Sequence, residues 1–496
     1  MIRRDLRVDP PGFTMTLRRI AVGALDIGRS TPAPADRRVL RRLASACLIP
    51  LATLLGVAVL LSVAPAWRGP AVLAIAVVLW GLNVFPDFAV GLGLIVVWNL
   101  FGISRPEPTL SGFASPTWFL MVAVLGLGTS LGASGLLERL AIRLLLVFPA
   151  TFAGQTTALL MGGLLVTPTL PLAVARCAIT APLAASLVQV LEYRPRSRGA
   201  VGIGLAAFVG AALFGRLFLS GAALNFVAWG LLPAGARPSW ALWAWAAAPV
   251  TILTAFGSLA LILAAFRPRG ERVPPNEVFE ERLRAKGRLS RAEHVAGATT
   301  LAVLGAFVLG PLVNVQGAWV AGAGLLVLVG AGVVNRDHIR TALDWPLLLF
   351  LGVILSLPAM VHEIGLDATL MSMVPRVLPA AHSSPAWSIA ALYLLTLAVR
   401  VVLSEWVAVP LLCMALLPAA PTLDLHPWVI AFVILLGSNL WTLPYQYASY
   451  LAFVSGAGGG LWTHRQVWPF SLAHIALSLL GLLASVPWWR LLGLAQ

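Results

Sequence analysis

The sequence predicts an all-α polytopic membrane protein with about 11 transmembrane helices and two re-entrant hairpins. Of its 496 residues, 59% are hydrophobic and 11% are charged, and the mean hydropathy is +0.91. Soluble domains carry about 25% charged residues, so this chain needs a bilayer to shield its apolar surface. A soluble helical repeat protein is therefore disfavoured.

Basic charge is concentrated in two stretches that flank apolar segments. Residues 1–44 carry ten arginines and four aspartates, and residues 267–293 carry eight Lys and Arg and five Glu. Positive flanks stay in the cytoplasm, so we expect a cytoplasmic basic tail and a charged cytoplasmic linker. Anionic lipid headgroups suffice to explain the net charge of +15. No basic-aromatic module is present, and no nucleic-acid partner is expected.

The linker separates two halves, 45–266 and 294–496, which resemble each other. Residues 115–140 and 343–370 each hold a tryptophan, an apolar span and a Gly-Leu pair followed by a short charged helix. A proline-interrupted apolar segment follows in both halves. This correspondence predicts two inverted repeats.

Each half is predicted to contain a re-entrant hairpin. The first covers about 153–192, with its tip from Pro168 to Ala175 and its returning arm starting near Arg176. The second covers about 387–419, with its tip near 404–410. Backbone freed inside a bilayer must be satisfied by protein, ligand or trapped water, so such breaks line cavities.

A second interruption follows each hairpin, at "LSGAALN" (219–225) and at "LPYQYAS" (443–449). Discontinuous apolar segments at corresponding places in two halves are typical of secondary transporters, which bind substrate between the repeats. The sequence therefore predicts a substrate site where the four interruptions meet.

These motifs resemble the divalent anion/sodium symporter family, the dicarboxylate, citrate and sulfate carriers of the ion transporter superfamily. The resemblance covers about 105–492 and rests on three stretches, 110–128, 217–225 and 426–459. It implies a homodimer that works as an elevator. A scaffold domain would hold the dimer, and a transport domain with both hairpins would carry the substrate.

The hairpin tips depart from the family pattern, in which Ser-Asn-Thr holds sodium and the substrate carboxylate. The stretch "PLAVAR" keeps Pro171, Ala175 and Arg176, but Leu-Ala-Val replaces the three polar residues. At the second tip only Ser404 survives, followed by Glu405 and a tryptophan. Hard cations require several oxygen ligands. Proton coupling is therefore favoured over sodium coupling.

Arg176 is an intramembrane cation with no acid nearby in sequence. A guanidinium can hold a carboxylate or sulfate with two parallel hydrogen bonds, and buried charges in membranes are usually functional. We therefore expect Arg176 to bind the substrate anion. The alternatives are a structural pair with Glu405 and an arginine that extends to the membrane interface.

Glu405 is the second unusual charge. A carboxyl group in a membrane-embedded site is a candidate proton carrier or cation ligand. The alternatives are an ion pair with Arg400, one turn earlier, and a place on the hairpin surface. Arg216 also lies in an apolar run, and both arginines could face the cavity or pair locally.

The remaining candidates are polar or tip residues at the four interruptions. The predicted substrate-binding residues are Pro171, Ala175, Arg176, Ser220, Asn225, Ser404, Thr442, Tyr445, Gln446 and Ser449. The alternative for the loop residues is that they only satisfy the broken backbone. Ser438 and Asn439, one turn before the second break, fit helix capping or helix contacts.

No enzyme is predicted, because no HExxH, GxSxG or Walker motif is present. The three cysteines are far apart, so neither a disulfide nor a metal site is expected, and no cofactor is expected beyond a coupling ion, H⁺ or Na⁺.

The sequence predicts a multi-pass inner-membrane secondary transporter for small anions. Di- or tricarboxylates are favoured over sulfate, and the partners are the anion, the lipid bilayer and a second copy of the chain. The alternatives are a cation/proton antiporter or metalloid-anion exporter of the same superfamily, a non-transporting membrane sensor or scaffold, and a membrane enzyme.

Overall fold

The computed structural model of the chain describes Ser62, Thr369 and residues 64–83, 85–270, 276–313, 315–366 and 384–495. The predicted tail, 1–44, lies outside the described residues. The chain divides after Arg68, and the following account concerns the unit from Gly69 onwards.

The described part of the chain is helical and contains no strand, only one isolated bridge between Leu425 and Ala495. Nine helices within it are long and apolar enough to span a membrane, and shorter apolar helices accompany them. The predicted all-α polytopic membrane fold is confirmed. The re-entrant course of the hairpins and the total number of spans remain predictions.

The first half is a succession of helices. They are Pro65–Leu82, Asp87–Leu100, Pro106–Leu110, Pro116–Ser134, Leu136–Val147, Phe152–Val166, Ala173–Val190, Arg198–Ala212, Ala223–Leu231, Trp240–Ala246 and Ala248–Phe266. A short helix, Asn276–Ala285, lies in the linker.

The second half follows nearly the same order. Its helices are Arg291–Val313, Gly317–Gly330, Arg336–Ala342, Trp345–Glu363, Pro385–Val402, Glu405–Leu416, Pro427–Gly437, Ala448–Gly456, His464–Ala484 and Val486–Leu491. Each half thus has two apolar helices, a short helix, a long helix, a helix pair, a broken helix and another long helix.

The first helix pair consists of Phe152–Val166 and Ala173–Val190, joined by a 3-10 turn and an extended stretch. Its second helix begins three residues before Arg176, where the sequence placed the start. Pro171 has no N–H and disfavours helical geometry before it, but nothing after Leu172 opposes a helix. The break is therefore shorter than predicted.

The second helix pair consists of Pro385–Val402 and Glu405–Leu416. Its break is limited to Leu403 and Ser404, which are extended. Pro410, taken from the sequence as the end of the tip, lies inside the second helix. The tip is again shorter than the predicted 404–410.

The two halves pack against each other around their breaks. The first broken helix is Arg198–Ala212 with Ala223–Leu231, and the second is Pro427–Gly437 with Ala448–Gly456. The returning helix of the first pair packs against Ala448–Gly456, and the corresponding helix of the second pair packs against Ala223–Leu231. Each half thus supports the break of the other.

A close backbone approach fixes the first helix pair against the first broken helix. A Cβ atom added to Gly163 would lie 2.2 Å from the carbonyl carbon of Gly210. Only glycine permits this contact, and small residues are the usual means by which membrane helices approach closely.

The linker is anchored to the short helix Leu136–Val147 by a buried ion pair. Arg139 Nε donates to Glu293 Oε1 at 2.9 Å, and both side chains are about 95% buried, with 4% and 5% exposed. The same guanidinium donates to the carbonyl oxygens of Lys286 at 3.1 Å and Gly287 at 2.8 Å. The linker is therefore part of the packed structure where it is described.

Candidate functional site

The breaks of the first helix pair and the first broken helix lie side by side. The backbone N–H of Ala223 donates to the carbonyl oxygen of Pro171 at 3.1 Å. The hydroxyl of Ser220 donates to the carbonyl oxygen of Pro168 at 2.7 Å. These bonds place residues 219–225 directly against the first tip, as the sequence predicted.

Arg176 projects from the first turn of the returning helix into this junction and is 1% exposed. Its Nε donates to the Ala211 carbonyl oxygen at 2.6 Å, and its Nη1 donates to that of Gly221 at 2.8 Å. Nη1 also donates to the carbonyl oxygen of Leu170. The guanidinium thus joins the first tip to both sides of the neighbouring break.

Arg400, on the second helix pair, makes a corresponding set of contacts and is 2% exposed. Its Nε donates to the Ser438 carbonyl oxygen at 3.1 Å, and its Nη2 donates to that of Gln446 at 2.7 Å. Nη1 donates to the carbonyl oxygen of Leu403, in the second tip. Each half therefore buries one guanidinium among carbonyl oxygens of its two breaks.

The end of the helix Arg198–Ala212 joins the two halves. A helix leaves its last carbonyl oxygens without helical partners. Here the Ala211 oxygen accepts from Arg176, the Ala212 oxygen accepts from the Tyr447 hydroxyl at 3.1 Å, and the next one, on Leu213, accepts from Asn439 Nδ2 at 3.2 Å. Side chains from both halves thus satisfy three successive carbonyl groups.

Glu405 forms its ion pair with Arg216. Arg216 Nη2 donates to Glu405 Oε2 at 2.6 Å, and its Nε donates to Asn439 Oδ1 at 3.1 Å. The side chains of Arg216 and Glu405 are 4% and 13% exposed. The sequence left open an ion pair of Glu405 with Arg176 or with Arg400. The structure has neither pair, because both arginines donate to carbonyl oxygens instead.

This cluster carries an excess of positive charge. Among the described residues it contains the guanidinium groups of Arg176, Arg216 and Arg400 and the carboxylate of Glu405. Arg216 lies close enough to interact electrostatically with both other arginines. With every group ionised, the formal excess is two positive charges, which a doubly charged anion would neutralise.

Two predicted polar residues of the first break mainly satisfy broken backbone. Asn225 Nδ2 donates to the carbonyl oxygens of Gly215 at 2.8 Å and Phe218 at 2.6 Å. Ser220, besides its bond to the tip, accepts from Trp240 Nε1 at 2.9 Å. Both side chains are buried, as the structural alternative for these residues expected.

The predicted residues of the second break differ in their surroundings: two are hydrogen-bonded to each other, one is buried and one is exposed to solvent. Gln446 Oε1 accepts from the Thr442 hydroxyl at 2.9 Å and from the backbone N–H of Leu443 at 2.8 Å. Ser449 is buried. Tyr445 is 68% exposed, beyond the packed cluster.

The predicted tip residues are also spread between the interior and the surface. Pro171 is buried and Ala175 is half-buried in the first turn of the returning helix. Ser404 is exposed at the second break. Of the predicted substrate-binding residues at the tips, Arg176 therefore brings its guanidinium to the interior, whereas the Ser404 side chain stays outside it.

Four buried polar atoms at the breaks have no hydrogen-bond partner among the described residues. They are Arg176 Nη2, Asn225 Oδ1, Trp441 Nε1 and Gln446 Nε2. Buried polar groups are normally satisfied, so each of these atoms is available to a ligand or to water. Three of the four are donors, as an anion requires.

A cavity of about 490 Å³ lies beside the first break. Trp240, which contacts Ser220, lines it together with Leu219, Phe226 and Arg237. Arg237 stacks on Trp229 at 5.1 Å from the ring centroid and donates to the Leu232 carbonyl oxygen at 3.0 Å. The cavity thus combines apolar walls with one cation close to the break.

Sequence reasoning identified Arg176 and Glu405 but missed three partners. Arg216 was left open, Asn439 was read as a cap or helix contact, and Tyr447 was passed over. A signal was present, because all three are polar residues within or next to apolar segments that the sequence marks as broken.

One known protein resembles this chain in sequence and another in fold. A putative malate transporter of Bacillus subtilis, YflS, is 24% identical over 310 residues, which are 61% of this chain and 65% of that protein. The crystal structure of the YdaH transporter of Alcanivorax borkumensis matches with a TM-score of 0.51 at 18% identity, covering 78% of this chain and 88% of the other. This second likeness concerns the fold alone.

The family comparison covers nearly the whole chain. Residues 37–495 match the model of the sodium:sulfate symporter transmembrane region. This match includes both helix pairs, both broken helices and the linker, and it confirms the resemblance found in the motifs. The chain is a multi-pass membrane protein, and it belongs to the sodium:sulfate symporter family.

Proposed function

We propose that this protein is a secondary active transporter that moves small anions across the inner membrane. Di- or tricarboxylates are the favoured substrates and sulfate is the second class. Family membership and the relative named a putative malate transporter support anion transport. The observation that carries the proposal is the buried cluster of three guanidinium groups and one carboxylate at the breaks, which favours a doubly charged anion.

In this proposal the anion binds between the two tips, next to the unpartnered donors Arg176 Nη2 and Gln446 Nε2. The helices that start at Ala173, Ala223 and Ala448 direct their positive ends towards the breaks, and helix N-termini favour anions. The backbone at these helix starts takes the place of the tip side chains that the family uses.

The other predicted residues have lesser roles in the proposed site. They define its walls and its mouth, and they are Pro171, Ala175, Ser220, Asn225, Ser404, Thr442, Tyr445 and Ser449. The cavity beside Trp240 would give the anion a route to the first break, with Arg237 attracting it.

A co-transported cation, a proton rather than sodium, would offset the charge of the anion. Glu405 is the proposed proton carrier, since it is the carboxylate of the cluster and keeps some exposure. Protonation would release Arg216 from its ion pair and free a second guanidinium for the substrate. Proton binding and anion binding would then support each other.

An elevator motion of a homodimer would complete the transport cycle. The two helix pairs and both broken helices would move as one body against a scaffold that includes Pro116–Ser134 and Gly317–Gly330, which pack on each other. The positively charged tail and linker would lie in the cytoplasm.

Thermal stabilisation of the purified protein by anions tests the substrate site. Malate, citrate, succinate and sulfate are added at two pH values, with and without sodium, to wild type and to Arg176→Gln. Arg198→Gln is the matched control, because Arg198 also holds a carbonyl oxygen, that of Ala265 at 2.7 Å, but at an exposed position.

A stabilising shift that Arg176→Gln loses and Arg198→Gln keeps would support an anion site at the first tip and would name its class. Stabilisation by none of the anions, together with no uptake in liposomes, would favour a membrane scaffold. Product formation without flux would indicate an enzyme.

A further inference from the structure

Arg176 and Arg400 have carbonyl partners of the same three kinds. Each contacts the tip of its own helix pair, through Leu170 or Leu403. Each contacts the end of the helix before the neighbouring break, through Ala211 or Ser438. Each also contacts a carbonyl group two residues before the next helix begins, on Gly221 or Gln446.

Such a set of carbonyl oxygen atoms has the chemistry of a cation-binding site. Unwound carbonyl groups and the C-terminal ends of half-helices are what discontinuous membrane helices offer to a coupling cation. The helix dipole adds negative potential at the same place. In this chain both sets surround a guanidinium group instead.

The residues present do not fit a sodium ion at the first break. The carbonyl oxygens of Ala211, Gly221 and Leu170 already accept hydrogen bonds from Arg176. The tip side chains between Pro171 and Ala175 are Leu, Ala and Val, and none has an oxygen atom. A sodium ion would have to displace a covalently attached cation and would gain no ligand from the tip side chains, so that Asn225 Oδ1 is the unpartnered side-chain oxygen left to it at this break.

We propose that Arg176 and Arg400 are tethered cations. They permanently occupy the carbonyl clusters that a mobile cation would otherwise neutralise, so that anion transport by this chain does not depend on sodium. This inference rests on the proposed transport function and specifies its ion requirement. The free Nη2 of Arg176 still allows that guanidinium to contact the anion.

Removal of a tethered cation should leave a site that a free cation can refill. In Arg176→Ala and Arg400→Ala, the three carbonyl oxygens lose their donor, and the truncated side chain leaves room for a guanidinium ion. Buried acceptors without a donor are unfavourable, so anion exchange should fall by about tenfold to a hundredfold. Guanidinium chloride at low millimolar concentration should restore part of it.

The experiment has two readouts on protein purified in detergent and reconstituted into liposomes. The first is exchange of labelled malate or sulfate by wild type in sodium chloride and in choline chloride. The two rates should agree within about a factor of two, as expected for sites without coupling. The second is the melting temperature of each alanine variant with and without guanidinium, with Arg198→Ala as the control that gains nothing.

A wild-type rate at least tenfold higher in sodium than in choline would overturn the inference, as would folded alanine variants that guanidinium neither stabilises nor reactivates. If the variants fail to fold, the melting temperature of wild type decides: a rise with sodium that choline does not produce counts against tethered cations. If wild type exchanges no anion, the transport proposal fails, while stabilisation of the variants by guanidinium still judges the inference.

Discussion

The Arg216–Glu405 ion pair gives a quantitative prediction for stability. Glu405→Gln keeps the shape of the side chain but leaves the guanidinium without a counter-charge at a site where the two side chains are 4% and 13% exposed. Unit charges about 4 Å apart attract by about 4 kcal/mol at an effective dielectric constant of 20, and breaking a buried pair costs about 3–5 kcal/mol. Because Glu405 retains some exposure and Gln still accepts a hydrogen bond, we expect a loss of about 3 kcal/mol.

This loss should appear as a lower melting temperature. An unfolding entropy of about 2.1 cal/mol/K per residue gives about 1 kcal/mol/K for 496 residues, so the expected decrease is about 3 °C. Arg216→Gln should produce a similar decrease. The double variant buries no unpaired charge and should melt no lower than either single variant.

Tryptophan fluorescence during heating, on detergent-purified protein, is the assay. The exposed pair Arg284–Glu280, with side chains 78% and 46% exposed, supplies the control cycle, in which the effects should be small and additive. If the melting-temperature decreases of Arg216→Gln and Glu405→Gln simply add in the double variant, the reasoning is refuted, because two residues that form a buried ion pair cannot contribute independently.

Three further predictions concern the linker, the close contact of two helices and the proposed proton carrier. Arg139→Ala should lower the melting temperature and expose the linker to trypsin, since leaving Glu293 buried without its partner costs about 3–5 kcal/mol, whereas Arg284→Ala in the same linker should do neither. Gly163→Val should reduce stability and folded yield, because its Cβ atom would lie 2.2 Å from the backbone of the neighbouring helix; unchanged melting would contradict the packing. Glu405→Gln should abolish the stimulation of malate uptake by an inward proton gradient while exchange persists, and uptake that still responds to the gradient would remove Glu405 as the proton carrier.

The sequence was sufficient for the membrane class, the family and the places where helices break. The composition predicts a membrane protein, because a chain with so few charged residues cannot shield its apolar surface from water without a bilayer. Prolines and polar residues inside apolar runs mark the breaks around Pro171 and around Pro444, where the structure has them. Arg176 was identified as a candidate because a charged residue inside an apolar membrane segment is costly and usually functional.

The partners of these charges could not be read from the sequence. Arg176 and Arg400 bind backbone carbonyl oxygens, which every residue has, so no residue type reveals them. Arg216 and Glu405 are 189 positions apart and come together only through the packing of the two halves. The lengths of the tips were overestimated, because the arm after the first tip was placed near Arg176 although its helix begins at Ala173, and because Pro410 was taken as part of the second tip although it lies within a helix.

If the protein transports anions as proposed, the positive excess of the cluster of Arg176, Arg216, Arg400 and Glu405 also determines how it responds to voltage. If the cluster moves across the bilayer, its tethered charges move outward and inward on alternate steps and transfer no net charge over a full cycle. The membrane potential nevertheless acts on each step, by about 2.3 kcal/mol per charge per 100 mV. With a bound dianion and the proposed proton on Glu405, the moving body would carry one positive charge, whereas the empty, deprotonated body would carry two, so the field would act more strongly on the empty body. A potential that is negative inside would therefore hold the empty carrier facing the cytoplasm, ready to load an internal anion before it turns outward.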